Sequence, residues 1–139
     1  MPCRRFSKSN PDIVHAPAGS YSHLAVLPAG YRLLVLAGQL GLTRDGLLPD
    51  AVQDQFDQAL NNILVIVQSQ GASADDVVKL TFYYAEESAD RTRHSRALRA
   101  MFGERRPPMT LIRVVGLADA KYKVEVDAMA AIADPSVSS

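Results

Sequence analysis

The stretch Pro107–Ala131, PPMTLIRVVGLADAKYKVEVDAMAA, decides how the rest of this chain is to be placed. Pro107-Pro108 halts whatever precedes it, because proline lacks a backbone donor and fixes φ. Two apolar runs follow, joined by a short connector, and both have strand composition. Strand side chains alternate, so Met109, Leu111 and Arg113 share one face while Thr110, Ile112 and Val114 share the other. In the second run Glu125 and Asp127 lie opposite Val124 and Val126. A carboxylate between β-branched neighbours marks either a wet outer face or the reactive group of a cleft.

Upstream, residues 1–18 are polar and punctuated by Pro2, Pro11 and Pro17, which reads as an irregular lead-in, with Ile13-Val14 as a short edge strand at most. Tyr21–Leu27 is expected to be a strand closed by a Pro28-Ala29-Gly30 turn. Tyr31–Leu42 is expected to be a strand buried on both faces. Gly38 and Gly41 within it signal a bulge or a close backbone approach. Asp45-Gly46 marks a tight turn.

Residues 51–70 carry apolar side chains at Val52, Phe56, Ala59, Leu60, Ile63 and Val67, one face of a 3.6-residue period. Asp50 stands where an N-cap belongs and Gly71 where a C′ glycine belongs. Ala72–Asp76 is a loop, and Val77–Tyr84 is β-branched and aromatic, hence a strand. Ser88 or Asp90 would cap a second helix ending near Phe102 and Gly103. Its apolar side is His94, Ala97, Leu98, Met101 and Phe102. The order is therefore β-β-α-β-α-β-β. Two helices cannot cover both faces of such a sheet, so an α+β layer with both helices on one face is expected. The runs Leu33–Leu42 and Thr110–Val115 are apolar on both sides. The uncovered face must then be hidden against copies of the same chain, which implies a closed homo-oligomer.

Composition narrows the function. The 139 residues suit one domain, 1–139, with frayed ends at 1–10 and 133–139, and the hydrophobic content of 47% supports a core without metal or disulfides. Fifteen Lys and Arg balance fifteen Asp and Glu, so there is no basic excess to draw nucleic acid. Cys3 is the single cysteine and excludes an intrachain disulfide. Nothing at the N-terminus reads as a secretory signal, and no run approaches the roughly 20 apolar residues of a membrane span. A cytoplasmic protein is expected, with no membrane partner. His15, His23 and His94 have no metal-binding spacing, and the serines lack a hydrolase elbow.

The chain resembles the RidA (YjgF, L-PSP endoribonuclease) family. The matching pieces are Ser20-Tyr21-Ser22, Ala37-Gly38-Gln39, Gln58-Ala59-Leu60-Asn61-Asn62, Gly71-Ala72-Ser73-Ala74-Asp75-Asp76-Val77-Val78-Lys79 and Val124-Glu125-Val126-Asp127-Ala128. They run in order over residues 10–132. The resemblance implies a chorismate-mutase-like α+β fold, a homotrimer with small-molecule clefts between subunits, hydrolysis of enamine or imine intermediates to 2-oxo acids and ammonia, and no cofactor or metal.

By the same resemblance, Glu125 is the acid that positions water. Tyr21, Ala37, Gly38, Ser95, Met109 and Leu111 are the substrate-binding residues. Ala37 replaces a serine, and Ser95 stands where an asparagine is common. Met109 stands where the family has a carboxylate-binding arginine, and Leu111 where it often has a cysteine. Arginine grips a carboxylate through a bidentate, charge-assisted pair that methionine cannot make. The expectation is a re-shaped, more apolar cleft with an altered substrate preference; Arg105, Arg106 and Arg113 are the candidates if another cation takes over as anion anchor. The alternative is a trimer that binds a metabolite without catalysis.

Overall fold

Residues 6–86 and 91–135 are described in this computed structural model. Strands β1 (Ser7–Ser9), β2 (Leu24–Val26), β3 (Tyr31–Val35) and β4 (Gln39–Leu40) lead into helix α1 (Val52–Ser69). A 3-10 turn (Ala74–Asp76), strand β5 (Val77–Tyr84) and helix α2 (Arg91–Phe102) follow, then β6 (Met109–Arg113) and β7 (Val124–Ala133). The main sheet has the order β3-β7-β5-β6, with β4 also paired to β7. Only β5 and β6 run parallel, so the sheet is mixed.

Both helices pack on one face, as the alternation in β7 requires. Val124, Val126, Ala128 and Ala130 are buried there beneath Phe56, Ala59, Leu60, Ile63 and Val67 of α1. Leu80, Phe82 and Tyr84 of β5 complete the layer, and α2 adds Leu98 and Phe102. The six α1 residues picked out by periodicity are all buried.

Several sequence expectations are corrected. The run from Tyr31 to Leu42 is two strands, because residues 36–38 leave the ladder while Leu36 N–H still reaches Ala128 O at 3.1 Å. It is not buried on both faces: Leu33 is 49% and Val35 71% exposed. The face away from the helices is mixed, since Leu33, Val35, Ile112 and Met129 share it with Lys79, Thr81, Thr110, Glu125 and Asp127. Ser7–Ser9 is a paired strand rather than part of an irregular lead-in, whereas Ile13 and Val14 lie in a turn. Its partner strand covers only Leu24–Val26, and Ser22 bridges to Pro108 instead. Ala51, not Asp50, is the N-cap of α1, and no side chain caps it. The Asp50 carbonyl accepts from Lys123 Nζ at 2.6 Å. Cys3, Ser88 and Asp90 lie outside the described residues.

Two polar side chains bind α1 to the irregular parts. Gln55 is 1% exposed. It donates from Nε2 to Pro49 O (2.8 Å) and Lys121 O (3.2 Å), and its Oε1 accepts from Lys123 N–H (2.9 Å). Asn62 donates to Leu40 O (3.1 Å) and Leu42 O (2.9 Å) and accepts from Gln58 (2.8 Å). The two amides thus tie strand-end and loop carbonyls to the helix.

Gly41 makes this closeness possible. A Cβ there would sit 2.5 Å from Gln55 O and 2.7 Å from Gln55 Cβ, against helix backbone that cannot yield. Gly41→Ala is expected to cost about 1–3 kcal/mol, the range for overpacking. Urea unfolding followed by far-UV circular dichroism should show the midpoint fall.

Candidate functional site

The parallel register of β5 and β6 lays two rows of side chains side by side, Phe82 beside Leu111 and Tyr84 beside Arg113, on the helix side of the sheet. Helix α2 crosses above with Arg91, His94, Ser95 and Leu98, spaced to share one face. The segment Ala18–Tyr21 closes one side, held where Ser22 N–H donates to Pro107 O at 3.2 Å. Tyr21 is fixed further because its hydroxyl accepts from Ala18 N–H at 3.0 Å. These walls enclose a cavity of about 460 Å³, within the size range of small-molecule sites.

Four of the expected site residues, Tyr21, Ser95, Met109 and Leu111, line this cavity together. The other three are elsewhere. Glu125 stands opposite Tyr83, and both point away from the helices. Gly38 is packed against Glu125: a Cβ on it would overlap the carboxylate and lie 2.9 Å from Cδ. Ala37 lines a separate groove between β3 and the end of α1, with Leu33, Val35 and Ile66. One chain therefore carries the expected site as two halves on opposite sides of its sheet.

Of the three arginines considered as anchors, Arg113 lines the cavity. Arg105 serves the N-terminal strand instead, donating to Phe6 O at 3.2 Å and lying 3.6 Å from Asp75. Arg106 lies 3.7 Å from Glu104. Arg93 turns outward and clasps α2 to α1 through Asp54 and Asp57, both at 2.7 Å.

Sequence reasoning missed the pairing of Tyr84 with His94, whose hydroxyl and Nδ1 lie 2.7 Å apart. No spacing rule joins a strand tyrosine to a histidine on the following helix. The His94 ring packs on Phe56 with centroids 4.5 Å apart and meets Phe82 at 5.2 Å. Burial lowers the His94 pKa. Burial, then the charge of Asp57, pushes the Tyr84 phenol well above its usual value. Burial thus keeps the phenol protonated and the imidazole neutral.

On the opposite face Tyr83 donates to Asp127 at 3.2 Å. Its pKa is raised, first by the charge of Asp127 and least by that of Glu125. Among the described residues no group of three or more His, Cys, Asp or Glu converges as a metal site. Nor is any helix there long and apolar enough to cross a membrane.

Comparison with known proteins agrees with this architecture. The family model described as Endoribonuclease L-PSP matches residues 13–132. A RutC family protein of Pyrococcus horikoshii is 30% identical over 116 residues, 82% of this chain and 88% of the relative. Among solved structures, the Rid-family protein YyfB of Yersinia pestis superposes with a TM-score of 0.83 at 24% identity, over 93% of this chain and 100% of that one. RidA from an Antarctic Psychrobacter superposes at 0.66 with 24% identity, over 93% and 99%. At that identity the two structures speak for the fold.

A histidine whose folded pKa lies below its unfolded value binds more protons when unfolded. The stability it gives is complete above the unfolded pKa, and it is lost as pH falls through that value toward the folded one. Stability should therefore decline as the pH falls through the ordinary histidine range near 6.5. His94→Gln should flatten that decline in urea titrations at successive pH values.

Proposed function

The chain belongs to the Endoribonuclease L-PSP family, and on that premise we propose that it is a homotrimer whose subunits pair their half-sites into small-molecule clefts that hydrolyse imines. The observation that carries this reading is the separation within one chain: Tyr21, Ser95, Met109 and Leu111 line the cavity on one side of the sheet, while Gly38 and Glu125 meet on the other. A head-to-tail contact sets the back of one copy against the cavity of the next. Such heterologous contacts form a ring when the rotation closes. The exposed Leu33, Val35 and Met129 give that contact apolar surface to bury.

In the assembled cleft a bound imine lies against Phe82, Leu98, Met109 and Leu111. Glu125 of the neighbouring copy holds a water, takes its proton as the oxygen attacks the C=N carbon, and returns that proton to the nitrogen to give an amino alcohol. The hydroxyl proton then passes through the same carboxylate to the nitrogen as the C–N bond breaks, which releases ammonia and leaves a carbonyl compound. The apolar floor favours imines whose substituents are uncharged near Met109. This is the altered preference that follows from methionine at the position where the family has its arginine.

Light scattering on the purified protein should give three times the 15.1 kDa chain mass. Imines generated in situ by amine and amino-acid oxidases should be hydrolysed faster with the protein present. Glu125→Gln should lower that rate by about 100-fold or more, the usual contribution of a general base. Gly38→Ala should fold normally, because only the flexible end of Glu125 must move, yet lose at least about 10-fold in rate. Ligand binding without acceleration of any imine would instead assign the cavity to a non-catalytic metabolite-binding trimer.

A further inference from the structure

His94 is the histidine of the cavity, and a buried tyrosine holds one of its ring nitrogens. Tyr84 Oη lies 2.7 Å from Nδ1. Tyr84 is buried and its hydroxyl has no other hydrogen-bond partner among the described residues, so its proton is satisfied only by donation to Nδ1, which leaves the ring proton on Nε2. Phe56 packs against the ring and Phe82 meets it in a T-shaped contact, and together they hold the plane of the imidazole. Nε2 makes no hydrogen bond to the described residues, and it is not among the buried polar atoms left without a partner. His94 itself lines the cavity.

We propose that His94, locked as the Nε2–H tautomer by Tyr84, donates the hydrogen bond that orients a ligand's neutral acceptor, a carbonyl oxygen or imine nitrogen, in this cavity. This inference rests on the cavity being the ligand site. It specifies the ligand further than a small molecule: a compact apolar body bearing an uncharged acceptor on its edge. A neutral imidazole N–H polarises such an acceptor without placing a full positive charge beside it. A cationic ligand group has nothing to gain from this donor.

Other charged and titratable groups near the ring do not take over the role. On α1, Asp57 is paired with Arg93. On α2 and β6, Arg91 and Arg113 line the same cavity as cations. Burial keeps His94 uncharged at neutral pH. Acidification through its lowered pKa must therefore replace a neutral donor by a cation and break its acceptor bond to Tyr84.

Phenylacetone, a small aryl ketone, and propylbenzene, of similar shape without an acceptor, test this on the whole protein. A long-range proton–nitrogen spectrum of the histidine rings should show His94 with a protonated Nε2 and a bare Nδ1 at pH 7. Phenylacetone should shift the Nε2 signal, and it should bind at least about 10-fold more tightly than propylbenzene, the worth of one hydrogen bond. His94→Phe, which suits the aromatic packing, should erase that preference, and His94→Gln, which keeps an N–H donor, should restore most of it. Tyr84→Phe should let the tautomers mix. A protonated Nδ1, or equal binding of the two probes, overturns the role of His94 while leaving the cavity as a ligand site. Failure of both probes to bind overturns the cavity and this inference together.

Discussion

Side-chain parity along β7 is the constraint on which the rest of the structure depends. Even-numbered residues from Val124 to Ala130 point into the helix layer, and odd-numbered ones, including Glu125 and Asp127, point away from it. A one-residue slip would bury two carboxylates and expose four apolar side chains, so the register is strongly determined. It also determines where chemistry can occur. Glu125 cannot reach a cavity built on the helix side of its own sheet, and Met109, Leu111 and Arg113 cannot leave that side.

The irregular segments conform to the same constraint. β3 and β4 run along one edge of β7 with a break between them, and the break brings Gly38 against the Glu125 side chain and Gly41 against α1. The two glycines lack a side chain for different reasons. Gly41 yields to helix backbone and serves stability, whereas Gly38 yields to a movable carboxylate and serves its placement. Asn62 then ties the carbonyls of Leu40 and Leu42 to α1, and Gln55 does the same for those of Pro49 and Lys121.

Elements with strong periodicity were legible in the sequence. The apolar face of α1, the strand Val77–Tyr84, Gly71 after the helix and both C-terminal strands follow from local pattern, because burial on one face imposes it. The split of Tyr31–Leu42 was not legible. Its residues are apolar throughout, and only contact with Glu125 and Gln55 shows why Gly38 and Gly41 interrupt it. Apolar composition also overstated burial at Leu33 and Val35, since a lone chain leaves those positions open. For the candidate site, resemblance supplied residue names but not their geometry. Alternation alone assigns Glu125 a face of its own strand, yet relating that face to Met109 requires the pairing β7-β5-β6. The Tyr84–His94 bond depends on how α2 crosses the sheet, which no local signal encodes.

Subunit complementation tests most directly whether the cleft is completed by a second copy. Glu125→Gln would be unfolded and refolded together with Leu111→Arg, which fills the cavity, each variant being inactive alone. Mixed rings restore clefts in which an intact cavity faces an intact Glu125. A shared site predicts recovery of about a quarter of the wild-type imine hydrolysis at equal mixing. No recovery from rings shown to contain both variants would contradict the account and confine each site to a single chain.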